Sequence, residues 1–278
     1  MPELPEIQAH AERLTTEYGG RTLATFRPIA FTALKTFSPA PDAAYGQALA
    51  GVGRRGKYLL ADFGTVTFVV HLMQGGRLKP DEKQSAKPRG GLARWVFTDG
   101  SALLLTEAGT EKRAGVWVRE GDLETQEPIE GLGPDADTID AATLQAICTA
   151  HSMRLHGMLR DQRALAGIGR RLANETCHRA KLSPFANASK LDADQVARLA
   201  EAIHACIDES LAYERSRDDM SSSKERPGAV HHRAGEECPV CGDVVREVSF
   251  ADSSLQYCAT CQTGGKPLAD RRLSKLLK

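Results

Sequence analysis

Four cysteines near the C-terminus have the spacing of a zinc site. The segment CPVCGDVVREVSFADSSLQYCATC contains two CxxC pairs separated by sixteen residues. Two such pairs can place four thiolates tetrahedrally around one metal ion, and the interval leaves room for a β-hairpin. Because four cysteines leave no open coordination position, we expect one structural Zn²⁺ that holds a fold and does not activate water. The expected ligands are Cys238, Cys241, Cys258 and Cys261.

The first residues, MPELPE, allow a second kind of chemistry. Proline followed by acids is typical of a helix N-terminus, where proline fits the first turn and carboxylates meet the positive end of the dipole. If Met1 is removed, the nitrogen of Pro2 becomes a secondary amine with a pKa of roughly 8, which can attack an electrophilic carbon and form an iminium adduct. The motif by itself leaves both interpretations open.

Further motifs offer positive charge to an anionic ligand. In GRRGKYLL, three basic residues precede a strand, either as solvated surface charges or as a phosphate anchor beside a reacting centre. In ALAGIGRRLANE, a Gly-Ile-Gly turn leads into a predicted helix whose first amides can hold a phosphate, although such turns are also common without a ligand. The basic residues after the last cysteine suit phosphate contact or a solvated tail, and they are Lys266, Arg271, Arg272, Lys275 and Lys278.

Helices and strands must position these groups. A helix is predicted at about residues 3–18, followed by a β-rich segment from 21 to about 118 in which KYLLADFGTVTFVVHL and RWVFTDGSALLLTEAG have the pattern of hairpins. Helical spacing returns from 141 to about 213. The polar segment RSRDDMSSSKERPGAVHHRAGEE is predicted to be a flexible linker or a surface loop. Three other cysteines are predicted to be small core residues, namely Cys148, Cys177 and Cys206.

Length and charge set wider bounds. The 278 residues have room for two ordinary domains, and 36 basic residues balance 36 acidic ones. Arg119–Asp140 holds eight acidic residues and one basic, whereas residues 263–278 hold five basic and one acidic, so the neutral total can conceal a basic face. The acidic stretch carries Gly and Pro and is a candidate domain boundary. Without a secretory signal or a membrane-spanning apolar run, we expect a soluble, intracellular protein with no membrane partner.

Eight short motifs follow one another along the chain: MPELPE, GRRGKYLL, HLMQGGRL, EKRAG, GLGPDADTI, LRDQRALAGIGRRLANE, VHHRAGEECPVCG and YCATCQ. Together, and in this order, they closely resemble the formamidopyrimidine-DNA glycosylase and endonuclease VIII family of base-excision repair enzymes. The resemblance implies an α+β fold with an N-terminal β-sandwich and flanking helices (1–125), a helix-two-turn-helix DNA-binding domain (126–225), and a zinc-finger β-hairpin with a basic tail (226–278). We expect a cytoplasmic, nucleoid-associated monomer that binds damaged double-stranded DNA between its domains.

The resemblance also implies roles for individual residues. In the family the mature chain begins at the proline, here Pro2, whose amine attacks C1′ of the damaged nucleotide and displaces the base. Glu3 would be the general acid and base, Glu6 would support the site, and Lys57 would contact a phosphate near the lesion. The nucleotide must leave the base stack, so another group must fill the gap. The remaining positions that match DNA contacts are His71, Gln74, Arg113, Gly169 and Arg170.

Four positions depart from the family pattern. Gln74 stands where HLGMSG has a gap-filling methionine, with Met73 one place earlier, and the wedge phenylalanine of RRFG is Ala114. Arg170 replaces the asparagine of GIGN, and Ser253 replaces an arginine that grips phosphates beside the lesion. The nucleophile and its acid are retained while lesion contacts are altered, which predicts an active enzyme with a different substrate range or affinity.

The leading hypothesis is therefore a bifunctional DNA glycosylase and abasic-site lyase that cleaves the strand by β,δ-elimination. One alternative is an abasic-site lyase with little base excision. A second is a damage-binding protein with weak catalysis, suggested by Ser253 and Ala114. A third is a zinc-stabilised protein whose basic tail binds nucleic acid without preference for damage. The preferred lesion is left open among oxidised or ring-opened purines, oxidised pyrimidines, bulky adducts and bare abasic sites.

Overall fold

Helix α1, Leu4–Tyr18, opens the computed structural model, which describes residues 1–221, 225–250 and 253–269. The helix lies where the sequence predicts it, and Glu3 is its N-cap. Its apolar residues recur three and four positions apart, so they form one buried face against the following strands. These buried residues are Leu4, Ile7, Ala11, Leu14 and Tyr18.

Eight strands complete the first of two compact units, Met1–Gly131. They are β1 (Leu23–Pro28), β2 (Gly51–Arg55), β3 (Tyr58–Asp62), β4 (Thr67–His71), β5 (Gly76–Pro80), β6 (Gly91–Phe97), β7 (Ala102–Glu107) and β8 (Gly115–Arg119). All neighbouring strands are antiparallel, and they form two sheets in the orders β1-β6-β7-β5 and β2-β3-β4-β8. Both predicted hairpins are present, as β3–β4 and as β6–β7.

The two sheets pack face to face through an aromatic cluster. Phe26 of β1 lies against Trp95 of β6 with 4.9 Å between ring centroids. Across the interface, the centroid of Phe68 on β4 lies 5.2 Å from that of Phe26. All three side chains are almost completely buried. This packing makes the first unit a β-sandwich, with α1 lying against β2 and β3.

The second unit begins at Leu132 and is helical up to Arg215. Its elements are α2 (Ala141–Ala150), α3 (Leu155–Arg160), α4 (Arg170–Arg179), α5 (Ala193–Arg215), β9 (Val245–Phe250), β10 (Ser253–Cys258) and α6 (Ala259–Thr263). Helix α5 packs against α2 and α4, and β9 and β10 form the predicted hairpin between the two CxxC pairs. Cys148, Cys177 and Cys206 are buried in the helices, as predicted for core residues.

Beyond Arg215, the described residues of the segment predicted to be a flexible linker or surface loop form an irregular loop, and part of this loop is packed into the unit. Arg226, Val230 and His231 are buried. The carboxylate of Glu175, on α4, accepts hydrogen bonds from the backbone N–H groups of Ala229, Val230 and His231 at 2.7, 3.1 and 2.7 Å. The packing of residues 226–231 was not predictable, because a polar composition does not show that a carboxylate elsewhere in the chain, here the half-buried Glu175, will satisfy the backbone donors.

Candidate active site and metal cluster

The two acids of MPELPE are buried at the start of α1 and hydrogen bonded to its first turn. Glu6 Oε2 accepts a hydrogen bond from the backbone N–H of Glu3 at 2.8 Å, and the Glu3 side chain accepts from the N–H of Glu6. This capping box is the arrangement that the helical interpretation of MPELPE predicts, and it holds both carboxylates in fixed positions. Each side chain is only 5% exposed, so both acids lie in a partly desolvated site beside the N-terminus.

The amino terminus lies among charged side chains drawn from separate elements. Burial lowers the pKa of the Met1 amino group, Glu3 and Glu6 oppose that shift, and Arg77 and Lys57 add to it. A lowered pKa increases the fraction of neutral amine, which is the nucleophilic form. Arg77, at the start of β5, is a member of this group that sequence reasoning missed. The only signal for it is its position in the quoted motif HLMQGGRL.

Lys57 and His71 lie together at one end of the β2-β3-β4-β8 sheet. Lys57 is 5% exposed and follows Gly56, whose φ of +54° allows the tight turn between β2 and β3. His71 pairs across the strands with Tyr58, and their ring centroids are 4.6 Å apart. His71 Nδ1 accepts a hydrogen bond from the backbone N–H of Met73 at 3.1 Å. The ring therefore presents Nε2–H as its donor.

Burial, followed by the charge of Lys57, lowers the pKa of His71 to about 4. The imidazole is therefore neutral at pH 7 and can donate to a phosphate oxygen without adding charge. Between pH 6.5 and 4 the unfolded chain takes up a proton at this position that the folded chain does not. The stability associated with His71 is thus fully present above pH 6.5 and is lost as the pH falls towards 4.

We expect His71→Gln to flatten this pH dependence. In wild type, the free energy of unfolding should fall by about 1–2 kcal/mol more than in the variant between pH 7.5 and 5.0. Urea titrations followed by tryptophan fluorescence measure this free energy of unfolding. The signal reports on the unit that contains His71, because Trp95 and Trp117 both lie in the first unit. Parallel pH profiles for the two proteins would contradict the buried, neutral state of His71.

The loop between β4 and β5 presents Gln74 to solvent. The N–H of Gly76 donates to the Leu72 carbonyl at 2.8 Å, which closes a tight turn. Met73 within it has a φ of +51°, a conformation that is uncommon for residues other than glycine, and its side chain is half-buried. Gln74 therefore occupies the exposed tip, while Met73 is held against the protein.

Arg113 and Ala114 are held by a carboxylate that sequence reasoning missed. Glu107, at the end of β7, is buried, and its Oε2 accepts from the N–H groups of Arg113 and Ala114 at 2.6 and 2.8 Å. The Arg113 side chain is 67% exposed and pairs with Glu111 at 2.6 Å. Ala114 is 2% exposed. The loop therefore presents an arginine to solvent, while the position of the family's wedge residue is buried.

In the second unit, Gly169 is the N-cap of α4 and Arg170 is its first residue. The turn before them is held by Gln162, whose Oε1 accepts from the N–H of Gly167 at 3.1 Å and whose Nε2 donates to the carbonyl of Ile168 at 2.9 Å. Arg170 is half-buried, and within the described residues its Nε has no hydrogen-bond partner. The geometry therefore leaves a cationic group at the positive end of a ten-residue helix.

The four predicted metal ligands form one cluster. Their Sγ atoms all lie within 4.8 Å of one another, with Cys241 3.3 Å from Cys258 and Cys238 3.9 Å from Cys261. A tetrahedral Zn²⁺ with bonds of about 2.3 Å requires sulfur–sulfur distances of about 3.8 Å, a value within the range of separations in the cluster. All four donors are thiolates, the ligand set of closed structural sites.

Helix α4 contacts this cluster and its surroundings through one polar face. Nε2 of His178 lies 3.3 Å from Cys238 Sγ, in reach to donate to a thiolate. Asn174, one turn earlier, accepts from His156 at 2.9 Å when that ring carries Nε2–H, and donates to Gln256 of β10 at 2.8 Å. Together with Glu175, these contacts join α4 to the hairpin and to the segment that precedes it.

Replacing His178 by alanine should weaken zinc binding roughly 10- to 100-fold, because groups that hydrogen bond to metal ligands orient them and tune their charge. Competition with a chromophoric chelator measures this affinity. His204→Ala is the matched control, since His204 lies on α5 and is absent from the described cluster. Equal zinc affinities for the two variants would exclude a role for His178 in the metal site.

Comparison with known proteins places this geometry in a family. Residues 1–111 match the formamidopyrimidine-DNA glycosylase N-terminal domain, residues 131–222 match its H2TH domain, and residues 235–264 match the zinc finger found in FPG and IleRS. A formamidopyrimidine-DNA glycosylase of Thiobacillus denitrificans is 31% identical over 274 residues, covering 94% of this chain and 100% of the relative. The chain belongs to the formamidopyrimidine-DNA glycosylase family.

Other members of the family agree in sequence and fold. A formamidopyrimidine-DNA glycosylase-like protein of Mycobacterium tuberculosis is 46% identical over 149 residues, covering 53% of this chain and 94% of that protein. The crystal structure of MutM (Fpg) from Thermus thermophilus has a TM-score of 0.82 at 27% identity and covers 96% of this chain and 100% of that one. A Lactococcus lactis Fpg bound to DNA with an AP site shares the fold, with a TM-score of 0.83, 19% identity and coverage of 94% and 99%.

Family membership confirms several predictions. The chain is a DNA glycosylase of base-excision repair, its fold is the predicted α+β arrangement of β-sandwich, helix-two-turn-helix region and zinc-finger hairpin, and the four cysteines suit one structural Zn²⁺. In the part of the chain that the structure describes, no helix has the length and apolarity needed to cross a membrane. The basic tail residues Arg271, Arg272, Lys275 and Lys278 lie outside the described residues, as does the side chain of Ser253.

Proposed function

We propose that this glycosylase excises a damaged base through the amine of Pro2 and then cleaves the strand as an abasic-site lyase. The observation that carries the proposal is the arrangement at the N-terminus. An amino group whose pKa is lowered by burial lies beside two fixed carboxylates, with Lys57 and Arg77 near enough to affect its charge. Removal of Met1 would transfer the free amine to Pro2, which is itself buried at this place.

The chemistry assigns separate steps to the nitrogen and to Glu3. The neutral amine attacks C1′ as the bond from C1′ to the base breaks, and the departing base takes a proton from solvent. Glu3 takes up the proton that the nitrogen loses and passes it to the ring oxygen, so that the sugar opens to an iminium ion. Loss of a C2′ proton then expels the 3′ phosphate, and a second elimination expels the 5′ phosphate. Lys57, 5% exposed beside the amine, would hold a phosphate near the reacting sugar.

The DNA contacts would come from both units. In the first, the neutral Nε2–H of His71, the exposed Gln74 and the exposed guanidinium of Arg113 are available to a damaged duplex. In the second, Gly169 and Arg170 at the start of α4 offer backbone N–H groups and a positive charge to a phosphate. The crystal structure of the Lactococcus lactis relative with AP-site DNA supports a damaged duplex as the ligand class.

Borohydride trapping tests the proposal. Protein whose N-terminus is verified as Pro2 by mass spectrometry is mixed with a duplex containing one abasic site, and reduction should leave a covalent complex. In a matched control, the same chain keeps a short N-terminal extension, so the Pro2 nitrogen is an amide and no complex should form. A complex of equal yield with the extended chain would assign the Schiff base to another amine, and none with either would overturn the lyase proposal.

A damage-binding role with weak catalysis is the second candidate, and the burial of Ala114 favours it. A duplex with a base lesion and one with a preformed abasic site separate the possibilities. Cleavage of both supports the bifunctional enzyme, cleavage of the abasic duplex alone supports a lyase with little base excision, and tight binding without cleavage supports the damage-binding role.

A further inference from the structure

Two phenylalanine side chains of the first unit are almost entirely in solvent. Phe31 and Phe37 are each 97% exposed, whereas the other exposed large apolar side chains in the described part of the chain range from 38% to 64%. A fully exposed aromatic ring forgoes about 1.5–3 kcal/mol of burial free energy. Single exposed apolar side chains are common on protein surfaces, so the position of each ring relative to the candidate site decides what it can contact.

The backbone here is fixed along β8. The N–H of Lys35 donates to the Val116 carbonyl at 2.8 Å, Val118 N–H donates to Thr36 Oγ1 at 2.8 Å, and Leu34 pairs with Val116 in parallel. Because the pairing is parallel, the residues before Leu34 lie towards the beginning of β8, and those after it lie towards the end. Phe31 is therefore placed near the loop that carries Arg113, and Phe37 is placed away from it.

A second set of contacts supports this placement. Phe31 opens a short 3-10 helix, Phe31–Ala33, that packs against β6 and β8. The preceding Ala30 donates its N–H to the carbonyl of Leu92 at 3.0 Å, and nearby Gly90 accepts from the N–H of Glu107. Glu107 is the carboxylate that holds the N–H groups of Arg113 and Ala114. Phe31 and the Arg113 loop therefore share one supporting framework.

This framework lies at the end of the sheet that carries the candidate catalytic groups. Across neighbouring strands, Tyr58 pairs with His71, and His71 pairs with Gly115. The segment at Leu34 lies one strand beyond β8. Lys57 directly precedes β3. Three strand spacings of about 4.8 Å, about 14 Å in total, separate β3 from the segment at Leu34. An extruded nucleotide has rotated by about 180° about its backbone into the site, so the gap that it leaves in the stack lies to one side of the amine and not at the amine itself.

A wedge is needed because a nucleotide rotated out of a duplex leaves a gap that the protein must fill. Proteins that open base steps use apolar side chains such as phenylalanine, leucine or methionine for this insertion. In the loops nearest the site, Ala114 is buried, Met73 is held against the protein and the exposed tip is the polar Gln74. Phe31 is the exposed aromatic side chain at this end of the sheet.

We propose that Phe31 is an apolar wedge that enters the base stack beside the extruded nucleotide. This inference rests on the proposed function, since it requires a duplex whose damaged nucleotide has left the stack. Positive charge accompanies the ring: Lys35 is exposed on the same segment, Arg27 is exposed on the preceding strand β1, and Arg113 is exposed on the adjoining loop. The alkyl chain of Lys35 lies over Gly115, where an added Cβ would be 2.6 Å from Lys35 Cε. These cations suit the phosphates on either side of the opened step.

The test compares Phe31→Ala with Phe37→Ala, two equally exposed rings on one segment. The probes are a duplex with a single tetrahydrofuran abasic analogue and the intact duplex of the same sequence. Phe31→Ala should weaken binding of the tetrahydrofuran duplex about 5- to 150-fold, the range for one base–aromatic stack, and Phe37→Ala should stay within about twofold of wild type. Neither ring contributes to the core, so circular dichroism should show both variants folded.

A second readout follows the inserted ring directly. Tryptophan emission of Phe31→Trp should be quenched by the tetrahydrofuran duplex and much less by the intact duplex, while Phe37→Trp should respond equally to both. Affinity of Phe31→Ala within twofold of wild type, or equal losses in both alanine variants, would overturn the wedge assignment. Wild-type protein that does not prefer the tetrahydrofuran duplex and forms no borohydride complex would instead overturn the proposed function.

Discussion

Base excision by Glu3→Gln is expected to be about a thousandfold slower than by wild type, because a positioned general acid contributes 10²- to 10⁴-fold and an amide cannot transfer the proton. The fold should be unaffected. Glu3 caps α1 by accepting the N–H of Glu6, and the Oε1 of glutamine can accept the same hydrogen bond. Glu6 Oε2 would still accept from the backbone N–H of residue 3. The capping and catalytic roles of this carboxylate can therefore be separated by one substitution.

Single-turnover excision from a lesion-bearing duplex measures the effect, with the N-terminus of each protein verified as Pro2. Glu17→Gln is the matched control, since it is an exposed glutamate on the same helix and should excise at the wild-type rate. Thermal unfolding should differ little among the three proteins. An excision rate for Glu3→Gln within tenfold of wild type would remove Glu3 from the mechanism and leave it only the helix cap.

The features that were predictable from sequence depend on local patterns. The helix from Leu4 to Tyr18 has apolar residues three and four apart, and the β6–β7 hairpin turns at an Asp-Gly pair, so neither needs a distant partner to be recognised. The zinc cluster was also predictable from a local pattern, because each CxxC pair by itself brings two ligands into range of one ion. The resemblance to a glycosylase family then supplied the candidate roles of the N-terminal residues.

The features that were missed depend on contacts that no sequence pattern marks, some of them between neighbouring segments and others between distant ones. Glu107 holds the Arg113 loop through backbone N–H groups, and Glu175 holds residues 229–231 more than fifty positions away. A carboxylate that binds backbone donors leaves no motif in the sequence of the segment it holds. The same is true of Phe31, because nothing in FTALKTF shows that the backbone will pair with β8 and leave the ring in solvent.

Cys258→Ser should lose most of its zinc affinity, because a serine hydroxyl is a poor replacement for a thiolate ligand and binding of a structural Zn²⁺ is itself folding free energy. The expected loss is on the order of several kcal/mol. The apolar cluster at the metal ligands consists of Val230, Cys238, Val245 and Cys258, with Cys261 packed against them, so most of its members are the ligands themselves. Without the ion, the hairpin and the segment held by Glu175 should become accessible to protease.

Zinc content by atomic emission and limited proteolysis together measure this result. Cys206→Ser is the matched control, because Cys206 is also buried but lies on α5, outside the four-cysteine cluster, and this variant should keep one equivalent of zinc. Tryptophan emission should be the same in both variants, since Trp95 and Trp117 lie in the first unit. One equivalent of zinc retained by Cys258→Ser, with the hairpin still resistant to protease, would show that three thiolates and the contacts from α4 are sufficient to hold the hairpin.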